Sequence, residues 1–336
     1  MKKSIYIYSP SGAVRDKAAF KRGIARLKAL GHEVEVDAAA FASHLRFAGD
    51  DDTRLAAIHR AAASGADVAL ITRGGYGLTR VLPRINYKVL AKAIDNGTHF
   101  VGMSDFTALQ LAVLARTGRV TWAGPALCEG FGAGDEADEA DSHGHGAGHS
   151  AGPDDIMEAC FDDMITGQGE GAGWRQLREG ASSTTASKAN DAASAKVGST
   201  FTVKHSTLWG GNLAVLCGLV GTPFLPQIKG GVLFLEDVAE HPYRIERMLT
   251  QLLYAGILGT QKAIVLGQFT EYKLGPHDKG FKLQSVVNWL RGQIKAPVLT
   301  NLPFGHVPTK VLLPVGAHVE LAVEGREAFV LWGHHH

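Results

Sequence analysis

A serine, a glutamate and a histidine, each at the edge of an apolar run, are the residues of this chain best placed to do chemistry. Ser104 lies in Gly102-Met103-Ser104-Asp105, between a strand pattern and a helix pattern. A serine on a sharp strand-to-helix turn is held clear of the sheet, beside the free N–H groups of the helix's first turn. Such groups can hold the oxyanion of a tetrahedral intermediate. Phe106 stands where the usual nucleophile elbow has its second glycine, and the same serine would also serve as a helix N-cap. Glu236 and Asp237 end the run Gly230-Gly231-Val232-Leu233-Phe234-Leu235, either as site carboxylates or as solvated loop residues. His306 follows Asn301-Leu302-Pro303-Phe304-Gly305, just past a strand pattern at 297–300. Loops at strand ends are where α/β proteins place their sites. In such a site His306 would take the Ser104 proton, and Glu236 would fix the imidazole tautomer and stabilise its protonated form.

A fourth motif is Arg73-Gly74-Gly75-Tyr76-Gly77, again directly after a strand pattern. Its glycines allow a ligand to approach the backbone closely. A tight turn or a phosphate-binding loop would use the same residues. The chain has neither G-x-G-x-x-G nor G-K-[ST] here, so no nucleotide fingerprint accompanies it.

These motifs need a frame. Strand patterns at 5–8, 32–36, 67–72, 99–101 and 120–123 alternate with helix patterns at 16–30, 52–64, 87–95 and 106–116. That alternation indicates βαβ units and a parallel sheet. Residues 132–155 are acidic and glycine-rich, with His143, His145 and His149, and lack apolar side chains larger than alanine. Residues 182–199 are rich in Ser, Thr, Ala and Lys. Such stretches bury too little surface to offset their ordering entropy. The chain therefore divides into an α/β domain at 1–131, a polar connection at 132–200 with one short helix at 156–165, and a second domain at 201–333. In the second domain, strand patterns at 231–235, 263–267, 310–313, 318–323 and 328–332 mix with helices at 242–254 and 283–294.

Bulk composition narrows the function classes. The 336 residues are 45% hydrophobic and 20% charged, with a net charge of +1. No broad field marks a nucleic-acid binder, and no apolar run is long enough to span a membrane. The apolar run at 5–8 is too short for a secretion signal. Three widely spaced cysteines (Cys128, Cys160, Cys217) imply neither a disulfide framework nor a metal site, and fit a reducing cytoplasm.

The four motifs, in this chain order, resemble the LD-carboxypeptidase family of serine peptidases. Gly124-Pro125, Gly210-Gly211-Asn212-Leu213 with Gly221-Thr222-Pro223, and Pro242-Tyr243-Arg244-Ile245 add to the resemblance, which spans about residues 4 to 332. It implies a flavodoxin-like N-terminal domain and a smaller mixed α/β C-terminal domain with the site between them. It implies a Ser104–Glu236–His306 triad and an oxyanion hole from the backbone N–H groups of Asp105 and Gly75. It also implies a homodimer that needs no metal or other cofactor. The implied activity is cytoplasmic release of terminal D-Ala from a murein tetrapeptide, at the L-centre of a diamino acid, in peptidoglycan recycling. Arg73 and Tyr76 are then expected on the substrate side. Arg73 either takes the terminal carboxylate bidentately or pairs with an acid beneath the loop.

Two other readings compete. A microcin-immunity type peptidase of the same superfamily would cleave peptidyl-nucleotides and would want an aromatic to stack on a purine. A metal-binding module could use the three histidines of 132–155 with Asp135 to Asp141, although their spacing matches no structural site.

Overall fold

The computed structural model describes residues 2–134, 152–177 and 200–333. The His-rich run at 135–151 and the polar run at 178–199 fall outside the described residues, and with them the metal-module reading.

The first sheet holds β1 (Ser4–Tyr8), β2 (Glu33–Val36), β3 (Val68–Ile71), β4 (His99–Gly102) and β5 (Thr121–Ala123). They are mutually parallel in the order β2-β1-β3-β4-β5. That is the flavodoxin order, with its ligand crevice at the β1/β3 switch point. The crossovers are α1 (Lys17–Ala29), α2 (Asp51–Ala63), α3 (Leu78–Val81), α4 (Tyr87–Asp95) and α5 (Thr107–Thr117). Capping fixes their ends: Asp16 accepts from the Ala18 and Ala19 N–H groups at the start of α1, and left-handed Gly118 closes α5. β1 and β3 are buried almost throughout, as strands covered on both faces must be.

The connection carries more order than its composition suggests. Asp154 caps α6 (Asp155–Thr166), whose Met157, Phe161, Met164 and Ile165 pack with Phe20, Leu127 and Phe131 of the first domain. β6 (Gly171–Arg175) follows and forms the edge of the second sheet. That sheet also holds β7 (Phe201–Asn212), β8 (Val232–Val238), β9 (Ala263–Thr270) and β10 (Val298–Leu299), with α7 (Leu213–Cys217), α8 (Pro242–Tyr254) and α9 (Leu283–Gln293) as crossovers. The expected strand at 310–313 starts later, as β11 (Leu313–Val315), and joins the first sheet antiparallel to β5. β12 (His318–Glu324) and β13 (Glu327–Leu331) complete the second sheet, in the order β10-β9-β8-β7-β12-β13-β6.

Two differences bear on the site. β8 runs on to Val238, so Glu236 and Asp237 lie within the strand rather than past it. Both are nearly free of solvent in the middle of the sheet, where Asn212 of β7 stands opposite Glu236 and Phe269 of β9 opposite Asp237.

Candidate active site

Ser104 holds φ at +63°, an uncommon value for a residue with a side chain. Met103 before it is extended, and Ser104–Phe106 form a tight turn that runs into α5. Strain of this kind costs on the order of 1–3 kcal/mol and persists only where the surroundings enforce it. The glycine loop after β3 is part of that enforcement. A Cβ at Gly74 would stand 2.6 Å from Ser104 Cβ and 2.8 Å from its Oγ, so only glycine fits there.

Buried polar groups clamp this loop from two sides. The Asp105 carboxylate accepts from Ser11 Oγ and, at 3.0 Å, from the Leu78 N–H. Burial raises its pKa, against the pull of those hydrogen bonds. From α2, the fully buried Arg54 donates to the Gly77 carbonyl at 2.7 Å. Gly75 has φ +115° and packs against Gly12, on the loop after β1. Tyr76 points elsewhere: it is 46% exposed, beside Phe47 and Arg46, and does not line the cleft described below.

Opposite this half, His306 Nδ1 lies 2.8 Å from Glu236 Oε2. The acceptor carboxylate places the proton on Nδ1 and leaves Nε2 free to accept. Glu236 is fully buried, and Asn212 Nδ2 donates to its Oε1 at 3.2 Å. The same amide nitrogen donates to Asp237 Oδ1 at 2.9 Å, and the Ala214 N–H to Asp237 Oδ2 at 2.9 Å. Asn212 also donates its own N–H to Thr107 Oγ1 at 3.0 Å, which ties this half to the helix behind Ser104. Burial alone would lower the His306 pKa; the bond to Glu236, with the charges of Glu236 and Asp237, reverses the sign and raises it. Asp237 is pushed up to about 6 by burial and by repulsion from Glu236.

His306 and Met103, the neighbour of Ser104, face one cleft of about 560 Å³. Ser104 and His306 share no hydrogen bond. Arg15, Asp16, Arg22, Arg73, Glu129, Asp154, Glu271 and Lys310 give the cleft charges of both signs. Arg73 Nε sits 3.4 Å from Glu129 Oε1, and its Nη1 is buried without a partner among the described residues. Half of the Glu129 side chain is open to solvent, yet its surroundings in the cleft wall withdraw enough water to raise its pKa against the pull of Arg73. Among the described residues no group of His, Cys, Asp and Glu is placed to hold a metal ion.

A strained serine, a glycine loop against it and a histidine backed by a buried carboxylate can together run acyl transfer. Residues 5–124 match the LD-carboxypeptidase N-terminal domain, and residues 205–321 match the LD-carboxypeptidase C-terminal domain. The crystal structure of muramoyltetrapeptide carboxypeptidase from Oxalobacter formigenes is 35% identical and covers 98% of each chain, with a TM-score of 0.79. The chain belongs to the LD-carboxypeptidase family. It is a peptidase. The "Probable murein peptide carboxypeptidase" of Bacillus subtilis is 27% identical over 90% of this chain and 84% of its own. The microcin C7 self-immunity protein MccF of Escherichia coli is 27% identical over 75% of this chain and 70% of its own. A wild-type structure of MccF shares the fold, with a TM-score of 0.77 at 23% identity and 98% and 96% coverage.

Sequence reasoning expected Ser104, Glu236, His306, Arg73, Tyr76, Gly75 and Asp105 in the candidate site of this LD-carboxypeptidase, and did not single out three residues that the geometry puts beside it. Asn212 was visible only as a motif match; its role as the bridge between two carboxylates needs the β7–β8 register. Glu129 lies in the π-helical turn Leu127–Phe131, a distortion often found at functional sites. Lys310 gave no signal at all, because its burial is a tertiary property. Among the described residues no helix is long and apolar enough to cross a membrane.

Proposed function

We propose that this peptidase is a serine LD-carboxypeptidase that releases terminal D-Ala from a murein tetrapeptide. The observation that carries the reading is the fully buried Glu236 bonded to His306 at the wall of a cleft bordered by the Ser104 turn. Ser104 Oγ attacks the carbonyl of the L-residue while His306 Nε2 takes its proton. The oxyanion rests on the N–H groups of Asp105 and Gly75. His306 then gives the proton to the departing D-Ala nitrogen, the C–N bond breaks, and an acyl-serine remains. Water, deprotonated by His306, attacks that ester; its collapse returns the proton to Ser104 and frees the tripeptide. The buried carboxylate of Glu236 stabilises each imidazolium.

The names of relatives support the murein peptide as substrate. The cleft lining speaks against the peptidyl-nucleotide alternative: among its described residues there is no Phe, Tyr or Trp to stack on a purine. The charges of both signs in that lining suit a peptide bearing carboxylates and an ammonium. In this reading the enzyme works as a cytoplasmic homodimer in cell-wall recycling, as the family resemblance implies. Mass spectrometry of products from tripeptide, tetrapeptide and pentapeptide tests the reading. Loss of a single D-Ala from the tetrapeptide alone is the expected result; a cut elsewhere, or preference for an aminoacyl-nucleotide, overturns it.

A further inference from the structure

Lys310 is 2% exposed, yet among the described residues it makes no hydrogen bond and no ion pair. Lysines are almost never buried so fully without a partner, because an ammonium loses its hydration. Its backbone is held in place, since the Val311 N–H donates to the Pro303 carbonyl at 2.8 Å. Its side chain lines the cleft together with His306, Arg73, Glu129 and Asp154.

The acids that act on Lys310 are Glu129, Asp154 and Glu236. Each is engaged elsewhere. Glu236 accepts from His306 and Asn212. Asp154 accepts from the Met157 N–H at 2.9 Å and from Thr309 Oγ1 at 2.5 Å. Glu129 faces Arg73. Among the described residues the ammonium is thus a positive charge on the cleft wall with no anion of its own. Burial lowers its pKa to about 8, so it is still mostly charged at neutral pH.

The chemistry of the reaction says which anion would complete it. In a carboxypeptidase the leaving nitrogen and the terminal carboxylate hang from one Cα. The group that protonates that nitrogen must therefore have the carboxylate close beside it. Lys310 lies four residues beyond His306 in the sequence, and its charge acts on the imidazole. Arg73, the sequence-level choice for this task, already has its Nε directed at Glu129 and its Nη1 buried against Gly12.

We propose that Lys310 is the specificity-determining residue that binds the terminal carboxylate of the leaving amino acid, an assignment that rests on the carboxypeptidase reading above. The test measures kcat and KM on the tetrapeptide free acid and on its C-terminal amide, with the wild type, Lys310→Met and Lys310→Gln. A charge-assisted contact of this kind corresponds to a loss of roughly 10- to 100-fold in kcat/KM on the acid. The amide, which lacks the anion, should be nearly unaffected by either variant. In the wild type, KM for the acid should also rise as pH passes about 8, where the Lys310 ammonium deprotonates, while KM for the amide stays flat. Arg73, Glu129, Asp154 and His306 line the same cleft and the buried Glu236 acts on Lys310 from behind it, but their titration acts on both substrates, so the difference between acid and amide isolates Lys310. Equal losses on acid and amide would return Lys310 to the scaffold and overturn the assignment. A wild type that cleaves the amide as fast as the acid would overturn it too, with no variant required. A wild type that cleaves neither peptide would instead remove the carboxypeptidase reading, and this inference with it.

Discussion

Around Ser104 the chain works through backbone; around Glu236 and His306 it works through buried charge. The first half is a left-handed serine wedged against Gly74, held by a loop that Asp105 and Arg54 clamp. The second is a chain of ionisable groups, Asp237, Glu236 and His306, linked through the Asn212 amide, whose properties depend on what surrounds them. Changes in the first half should therefore act through shape and be insensitive to pH. Changes in the second should move pH profiles.

The comparison breaks most visibly at Ser104. Ser104→Ala should keep the fold and lower kcat by roughly four to six orders of magnitude. Near-normal turnover would end the serine mechanism. Glu236→Gln comes next, with a loss of about 10²- to 10⁴-fold. Its acid limb in kcat/KM should also shift to lower pH. His306 must be neutral to act as base, and the variant removes the charge that raises its pKa. An unmoved limb would show that Glu236 does not govern the histidine.

Gly74→Ala should cost about 10²-fold, since the new methyl displaces Ser104 by a fraction of an ångström or more. Here the pH profile should keep its wild-type shape; a shifted limb would blur the distinction between the halves. The smallest kinetic effect is expected from Asp237→Asn, which leaves Glu236 and His306 paired. If it proves more damaging than Glu236→Gln, the roles of the two carboxylates are exchanged. Its clearer signature lies in stability. Folded Asp237 keeps its proton up to about pH 6, whereas an ordinary aspartate releases it near 3.8. Between those values the folded state binds more protons, so stability contributed by this group falls as pH rises, by on the order of 3 kcal/mol across the window. Urea unfolding at several pH values should show that slope in the wild type and a flatter one in the variant.

The same contrast explains what could be read from sequence. The backbone half was legible because its devices are residue types at fixed spacing: strand, glycine loop, serine turn, helix. The charged half was legible only in its end members. Asn212 reaches the two carboxylates only through the pairing of β7 with β8, and β7 itself was overlooked because Thr202, Lys204 and His205 break its apolar pattern. β6 hid for a related reason. Gly171 and Gly173 flank the buried Ala172 and Trp174, so the alternation was present but looked like a loop. Nothing in the type or position of Lys310 foretold that it would be buried; that required the cleft to be assembled around it.

The return of β11 to the first sheet has a consequence for how the protein comes into being. The sheet that carries Ser104 is finished only by residues 313–315, far along the chain from β5, whose edge they cover. Until they leave the ribosome, β5 presents an open edge, the kind of surface that invites pairing with another chain. The two sheets cannot mature one after the other, as successive domains often do during synthesis. Ser104 is translated early, but the strand that closes its sheet and the histidine that would activate it arrive together, within ten residues of each other. On the proposed mechanism a nascent chain carries Ser104 well before His306, and the triad can assemble only once residues 306–315 have been made.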